Sequence, residues 1–273
     1  MIPSASITVV QMDSNQRRVL KSGRSGDYHV AGLGPGVYSL EVKHEGFRTY
    51  KRPEVSLEVD QQLRIDVRLD VGATTESITI TERAPVLNTE NGTRGDVTTN
   101  EELKEMPLAG RNFADLALLT GGVVPKAEDT DGSFAINGAR ADNVGYLLDG
   151  VNIVQRRNTG SMVSPAIEGI QEFKMITSGF AAEYGRYAGG VLSVVLKSGG
   201  NRFRGSLYEF MRNDVFDARN FFDLAKSKLR RHQYGATVTG PVAIPKLYNG
   251  RNKTFFCSVE KAYDRSREVP GGV

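Results

Sequence analysis

The chain has one cysteine, Cys257, in 273 residues. That excludes a disulfide framework and a thiolate metal site. Histidine is almost as scarce: His29, His44 and His232 stand far apart, and none lies at metal-ligand spacing from another ligating side chain. No stretch of 18 apolar residues occurs, which rules out a membrane-spanning helix. Transmembrane β-strands escape that test, because only their alternate residues face lipid. The first residues, MIPSASITVVQMDSNQRR, lack the charged region and apolar core of a signal peptide. Also missing are a G-x-S-x-G elbow and a Walker loop. Ser178-Gly179 and Ser198-Gly199 read as turns, because no histidine follows at a plausible elbow. The expectation is a protein that is not an enzyme, with no catalytic residue, no metal site and no cofactor. An excess of one charge is absent too: 35 basic and 32 acidic residues are interspersed for a net charge of +3, which leaves no footprint for nucleic acid.

What is present is ordinary core material, 39% hydrophobic and 25% charged residues, enough for one large or two to three small domains. Residues 1–71 are strand-rich. SITVVQM, GDYHVAGLGPGVYSLEVKH, FRTYKRPEVSLEV and QQLRIDVRLDV alternate apolar with polar residues, and Gly34-Pro35-Gly36 closes a tight turn. Tyr28, Val30, Leu33, Val37, Tyr38, Leu40 and Val42 supply much of an inner surface, so the pattern predicts a small β-sandwich. GLGPG is not a dinucleotide loop, since Pro35 and a following strand leave no helix N-terminus for a phosphate. Residues 72–98 read as a linker containing a short β-prone run, residues 76–82, that can form one edge strand.

Residues 99–199 open on a capping box, Thr99 to Glu102, starting a short helix that ends at Pro107; a second helix over residues 113–119 has Asn112 as its cap. The segment AEDTDGS lacks the ligand set of an EF-hand and reads as a solvated loop. The organising stretch follows: FAINGARADNVGYLLDGV, a polar loop, then AIEGIQEFKMITSGFAAEYGRYAGGVLSVVLKSGG, with Asn137-Gly138 and Asp149-Gly150 as turns and VLSVVLK as a buried strand. In the polar loop, Arg156 and Arg157 are candidates for contact with an anionic ligand. Ser164-Pro165 reads as a helix entry, with Ile167 and Ile170 pointing inward. Residues 200–273 change character: GSLYEFMRND, QYGATVTGPVA and KTFFCSVEKAYD alternate large apolar with polar residues over about ten positions, as barrel strands do. Tyr208 and Phe210 share a face of the first, Tyr234, Ala236 and Val238 of the second, and Phe255, Cys257 and Val259 of the third; the charged residues 217–232 between the first two read as a loop.

NGAR, YLLDGV, IEGIQEFKMITSGFAAEYGRYAGGVLSVVLKSG and NRFRGSLYEF resemble the plug, and the step into the barrel, of TonB-dependent outer-membrane receptors of the Oar-like type. GDYHVAGLGPGVYSLEVKHEGF resembles the carboxypeptidase-regulatory-like fold, a transthyretin-like sandwich, although Arg24-Ser25-Gly26 stands where that family often has an acidic turn and its first strand is lacking. The resemblance implies a mainly β chain: a carboxypeptidase-regulatory-like sandwich at 1–71, a linker at 72–98, an α+β plug of short helices and mixed sheet at 99–199, and the first strands of an incomplete barrel at 200–273. It implies a bacterial outer-membrane location for the complete protein, energised uptake of an unidentified nutrient, and contact with lipid and an extracellular ligand. ESITITE, that is Glu76, Ser77, Ile78, Thr79, Ile80, Thr81 and Glu82, resembles a TonB box, which would bind the TonB C-terminal domain by strand addition. Such receptors close about 22 strands, whereas about 70 residues follow Gly200, so the expectation is a fragment truncated at both ends. The alternative expectation is a soluble periplasmic or surface interaction module built on the sandwich, without transport.

Overall fold

The computed structural model describes residues 1–73, 77–79, 92–106, 108, 111–125, 133–155, 160–219, 221, 226 and 228–268. Three sheets organise them. In the first, β1 (Ser6–Gln11), β2 (Arg17–Lys21), β3 (Gly36–Lys43), β4 (Thr49–Leu57) and β5 (Ser77–Thr79) lie in the order β2-β1-β3-β4-β5. All neighbours are antiparallel except β4 and β5. The period-two pattern places Ile7, Val9, Tyr38, Leu40, Val42 and Val55 on one buried core, and each such side chain contributes about 1.5–3 kcal/mol when fully withdrawn from water. The second layer is made of extended chain. Tyr28, Val30 and Leu33, and then Leu63, Ile65, Val67 and Leu69, pack onto that core. The expected strands there form no ladder, however. Their alternate burial satisfies the side chains without backbone pairing, and the Tyr28 hydroxyl donates to the Ile65 carbonyl at 2.8 Å to join the two segments.

The second sheet contains β6 (Arg94–Thr99), β9 (Val144–Leu148), β10 (Val151–Asn152), β11 (Ile170–Ser178) and β12 (Gly190–Leu196), ordered β10-β9-β12-β11-β6. Only β12 and β9 run parallel, so the sheet is mixed. One face carries Phe173, Met175, Leu192, Val194 and Tyr146 into the largest core, covered by α1 (Asn100–Glu105), a 3-10 helix at Phe113–Leu119, and the pair β7 (Val123–Pro125) and β8 (Phe134–Ile136). The capping box forms, with the Thr99 N–H donating to Glu102 Oε2 at 2.8 Å. Asn112 caps the second helix through its side-chain oxygen, which accepts from the Ala114 N–H. That helix is 3-10, and its last bond runs from the Thr120 N–H to the Ala117 carbonyl. Asn137-Gly138 and Asp149-Gly150 form tight turns with positive φ at both residues. Ser164-Pro165 is not a helix entry: a single 3-10 turn begins at Ile167, preceded by Ala166 in extended conformation. Ile167 and Ile170 are buried in the core.

The third sheet is β13 (Arg204–Asn213), β14 (Lys228–Pro241) and β17 (Phe255–Glu268), antiparallel in the order β13-β14-β17. A small pair, β15 (Ala243–Ile244) and β16 (Tyr248–Asn249), fills the turn between its last two strands. Residues 228–232, expected in the preceding loop, belong to β14, where Lys228 to His232 pair with Glu268 to Asp264. Ladder bonds depend on the backbone, so basic side chains at the end of a strand do not stop it. The three apolar sets each share a face of their own strand, but not the same face of the sheet. Tyr208 and Phe210 face the second sheet with Val259, whereas Tyr234 and Val238 are exposed on the other side.

Candidate coupling site between the three sheets

The residues expected to meet TonB sit partly on the first sheet. Ser77, Ile78 and Thr79 form β5 and pair with Thr49, Tyr50 and Lys51 of β4. Glu76, Ile80, Thr81 and Glu82 lie outside the described residues. The chain is tied down just before β5: the Gly72 N–H donates to the Gly46 carbonyl at 3.1 Å, the Arg48 N–H to the Asp70 carbonyl at 2.8 Å, and Phe47 bridges Val71. β5 ends its sheet, so one of its two hydrogen-bonding edges has no partner strand among the described residues. Arg156 and Arg157 also lie outside the described residues, as does most of AEDTDGS. Their loop is closed at its neck by a bridge between Val154 and Ser161 and by the Gln155 N–H donating to the Gly160 carbonyl at 2.8 Å.

Sequence reasoning missed two clusters. The first joins the first sheet to the second. Beyond β4, the Val59 N–H donates to Glu172 Oε2 at 2.8 Å, and Lys174 Nζ donates to the Val59 carbonyl at 3.0 Å. Gln171 Nε2 adds a bond to the Pro35 carbonyl at 3.1 Å. Burial holds the Glu172 carboxyl above its ordinary pKa, against the opposing effects of the Val59 N–H and Lys174. The signal was in IQEFKMI: Phe173 and Met175 fill the core, so Glu172 and Lys174 must point to the other face.

The second cluster joins the second sheet to the third. Arg111 and Glu168 form an ion pair whose side chains are each only 7% exposed. The Arg111 guanidinium lies over the Phe210 ring of β13, 3.8 Å from its centre. The Tyr208 hydroxyl lies against the same Glu168 carboxylate. Lys197 Nζ donates to the Glu168 carbonyl at 2.6 Å, and burial and the neighbouring Lys104 push its pKa down. No local motif links Arg111 to Glu168, 57 residues apart, so nothing in the sequence announces the pair. Among the described residues no group of three His, Cys, Asp or Glu side chains is placed to hold a metal ion. The arrangement offers mechanical attachment: an edge strand with no second partner strand among the described residues, and polar contacts that join the three sheets.

Three family models match successive parts of the chain. A carboxypeptidase regulatory-like domain matches residues 1–70, a TonB-dependent receptor plug domain residues 89–191, and an outer membrane beta barrel domain residues 195–269. In that order they are the domains of TonB-dependent receptors that carry a carboxypeptidase regulatory-like domain ahead of the plug. Within that class the chain is similar to the TonB-dependent transporter Oar of Myxococcus xanthus, with 28% identity over 265 residues covering 90% of this chain and 24% of that protein. The chain thus spans about a quarter of the length of this curated relative. Among solved structures, the siderophore receptor PirA from Acinetobacter baumannii is 22% identical with a TM-score of 0.43, over 63% of this chain and 24% of that one. A ferric enterobactin receptor (PfeA) mutant from Pseudomonas aeruginosa is 19% identical with a TM-score of 0.42, over 55% and 22%.

Proposed function

We propose that the chain works within a TonB-dependent transporter of the bacterial outer membrane. In this reading residues 99–199 occlude the barrel begun by residues 200–273, the barrel's outer face meets lipid, and TonB drives uptake of a nutrient captured outside the cell. The observation that carries it is β5, the short terminal strand of the first sheet, one edge of which has no partner strand among the described residues. An extended segment with an open edge adds to a partner's sheet through backbone bonds, which explains how so weak a sequence signal suffices. A soluble interaction module is disfavoured by the third sheet. Its strands are 10 and 14 residues long, enough to cross a bilayer, and Leu207, Met211, Tyr234 and Val238 project from its outer face into solvent. The bridge between Val154 and Ser161 on either side of Arg156 and Arg157 supports the reading that these two residues meet an anionic ligand.

The test is binding to a purified TonB C-terminal domain. Ile78→Pro removes a backbone donor from the strand and should weaken binding at least about tenfold, whereas Ile78→Val should bind as wild type does. Equal binding by the two variants would reject strand addition.

A further inference from the structure

Glu172 and Lys174 have no role in the plug's own core. They lie on the face of β11 opposite Phe173 and Met175, beside Ser193 of β12, which pairs with Lys174. Yet Lys174 is 5% exposed and Ser193 2% exposed. An ammonium withdrawn from water without partners is strongly disfavoured, and the Lys174 partners come from another domain: the Val59 carbonyl at 3.0 Å and the Asp60 carbonyl at 3.5 Å. Val59 itself is 3% exposed and returns its N–H to Glu172. Two charged side chains of the plug are therefore built to hold the backbone of one loop of the first domain.

That loop continues β4, which ends at Leu57, two residues before Val59. The opposite end of β4, Thr49 to Lys51, holds β5. One strand thus connects the segment TonB would take to the grip on β11. The covalent route is longer, with twelve residues, 80–91, between Thr79 and the chain leading into β6. It reaches the same place, since β6 pairs with β11 at Glu172 and Lys174.

We propose that the first domain transmits TonB's pull to the plug, through β5, β4 and the Val59 loop onto β11, in parallel with the linker. The function rests on the strand-addition reading above. The exposed ion pair from Arg204 to Asp13, at 2.8 Å, ties the same domain to the start of the third sheet, but an exposed pair of this kind contributes little.

A specific protease site placed after Pro85 separates the two routes. The full chain, in detergent, is cut there and captured either by an N-terminal tag or on immobilised TonB C-terminal domain. If the domain is the coupler, both captures keep the plug half after cutting. Lys174→Met and Glu172→Met should each lower that retention at least about tenfold. Glu172 is only half-buried, so its variant guards against a folding failure at Lys174, and melting of each uncut variant checks its fold. Release of the wild-type plug half from both captures, or undiminished retention in both variants, overturns the proposal. If TonB keeps only the first-domain half, strand addition stands and coupling through the domain fails. If TonB keeps neither cut nor uncut chain while the tag keeps both halves, strand addition fails and the mechanical junction stands.

Discussion

Gly190 shows how tightly the plug is set at single positions. A Cβ there would meet Ile136 Cδ1 at 2.5 Å and the Ile176 carbonyl oxygen at 2.7 Å, on a backbone with φ of +158°. Gly190→Ala should destabilise the fold by about 1–3 kcal/mol, read as a lower melting temperature. Arg111 and Glu168 make a sharper case. Arg111→Met strands a buried carboxylate and should cost about 3–5 kcal/mol in denaturant unfolding, while Arg111→Met with Glu168→Met should recover much of that loss. Recovery tests the pair itself, because a purely steric role for Arg111 would leave the double variant as weak as the single one. Glu172 adds a dependence on pH. Its pKa is raised in the folded protein by burial and by Glu58, and lowered in part by the Val59 N–H and Lys174. Because the net shift is upward, the docked state binds the proton more readily than the free carboxyl does. Docking should strengthen as pH falls through the raised value and stop gaining below the ordinary carboxylate value. Retention of the cut halves against pH checks this, and Glu172→Gln should flatten the profile.

At the scale of elements, the strands of the third sheet show what alternation tells and what it leaves open. Ser206, Tyr208 and Phe210 alternate with Leu207, Glu209 and Met211, and both sets contain large apolar side chains. The plug decides between them, because Arg111 stacks on Phe210 and Val259 presses on Gly169. Tyr208 then crosses Gly235 on the neighbouring strand, which has no side chain in its way. The outward set is therefore Leu207, Met211, Tyr234 and Val238. Val238→Arg in a complete receptor should destabilise the barrel by up to about 2–4 kcal/mol near the bilayer midplane, measured by unfolding from lipid. Thr237 is 5% exposed on the plug side, so Thr237→Ser should leave that unfolding nearly unchanged.

At the scale of the whole molecule, the third sheet is unclosed among the described residues. β13 and β17 are both edges, and Leu207, Phe203 and Tyr263 are widely exposed. Such edges and apolar surface favour association. Light scattering in dilute buffer without detergent should show the 273-residue chain self-associating, and a chain ending at Ser198 should stay smaller. A monomeric full chain with slow amide exchange over residues 205–263 would mean that the third sheet is complete in water, and would reject the barrel reading.

By itself the sequence determined the local structure: the strand of VLSVVLK, the capping box at Thr99, the Asn112 cap, the two Asn/Asp-Gly turns and the alternating strands of the last 70 residues. These depend on near neighbours, through side-chain period, backbone caps and φ preference, so a single chain segment displays them. Only the tertiary structure decided that residues 28–33 and 61–70 stay extended without a ladder, that β5 lies parallel on β4, and which face of each barrel strand meets the plug. It alone brought Arg111 to Glu168 and Val59 to Glu172 and Lys174, across separations of 57, 113 and 115 residues. Contacts at that range follow from how three sheets pack. Packing depends on the summed shape and charge of their surfaces, which no local pattern of residues contains.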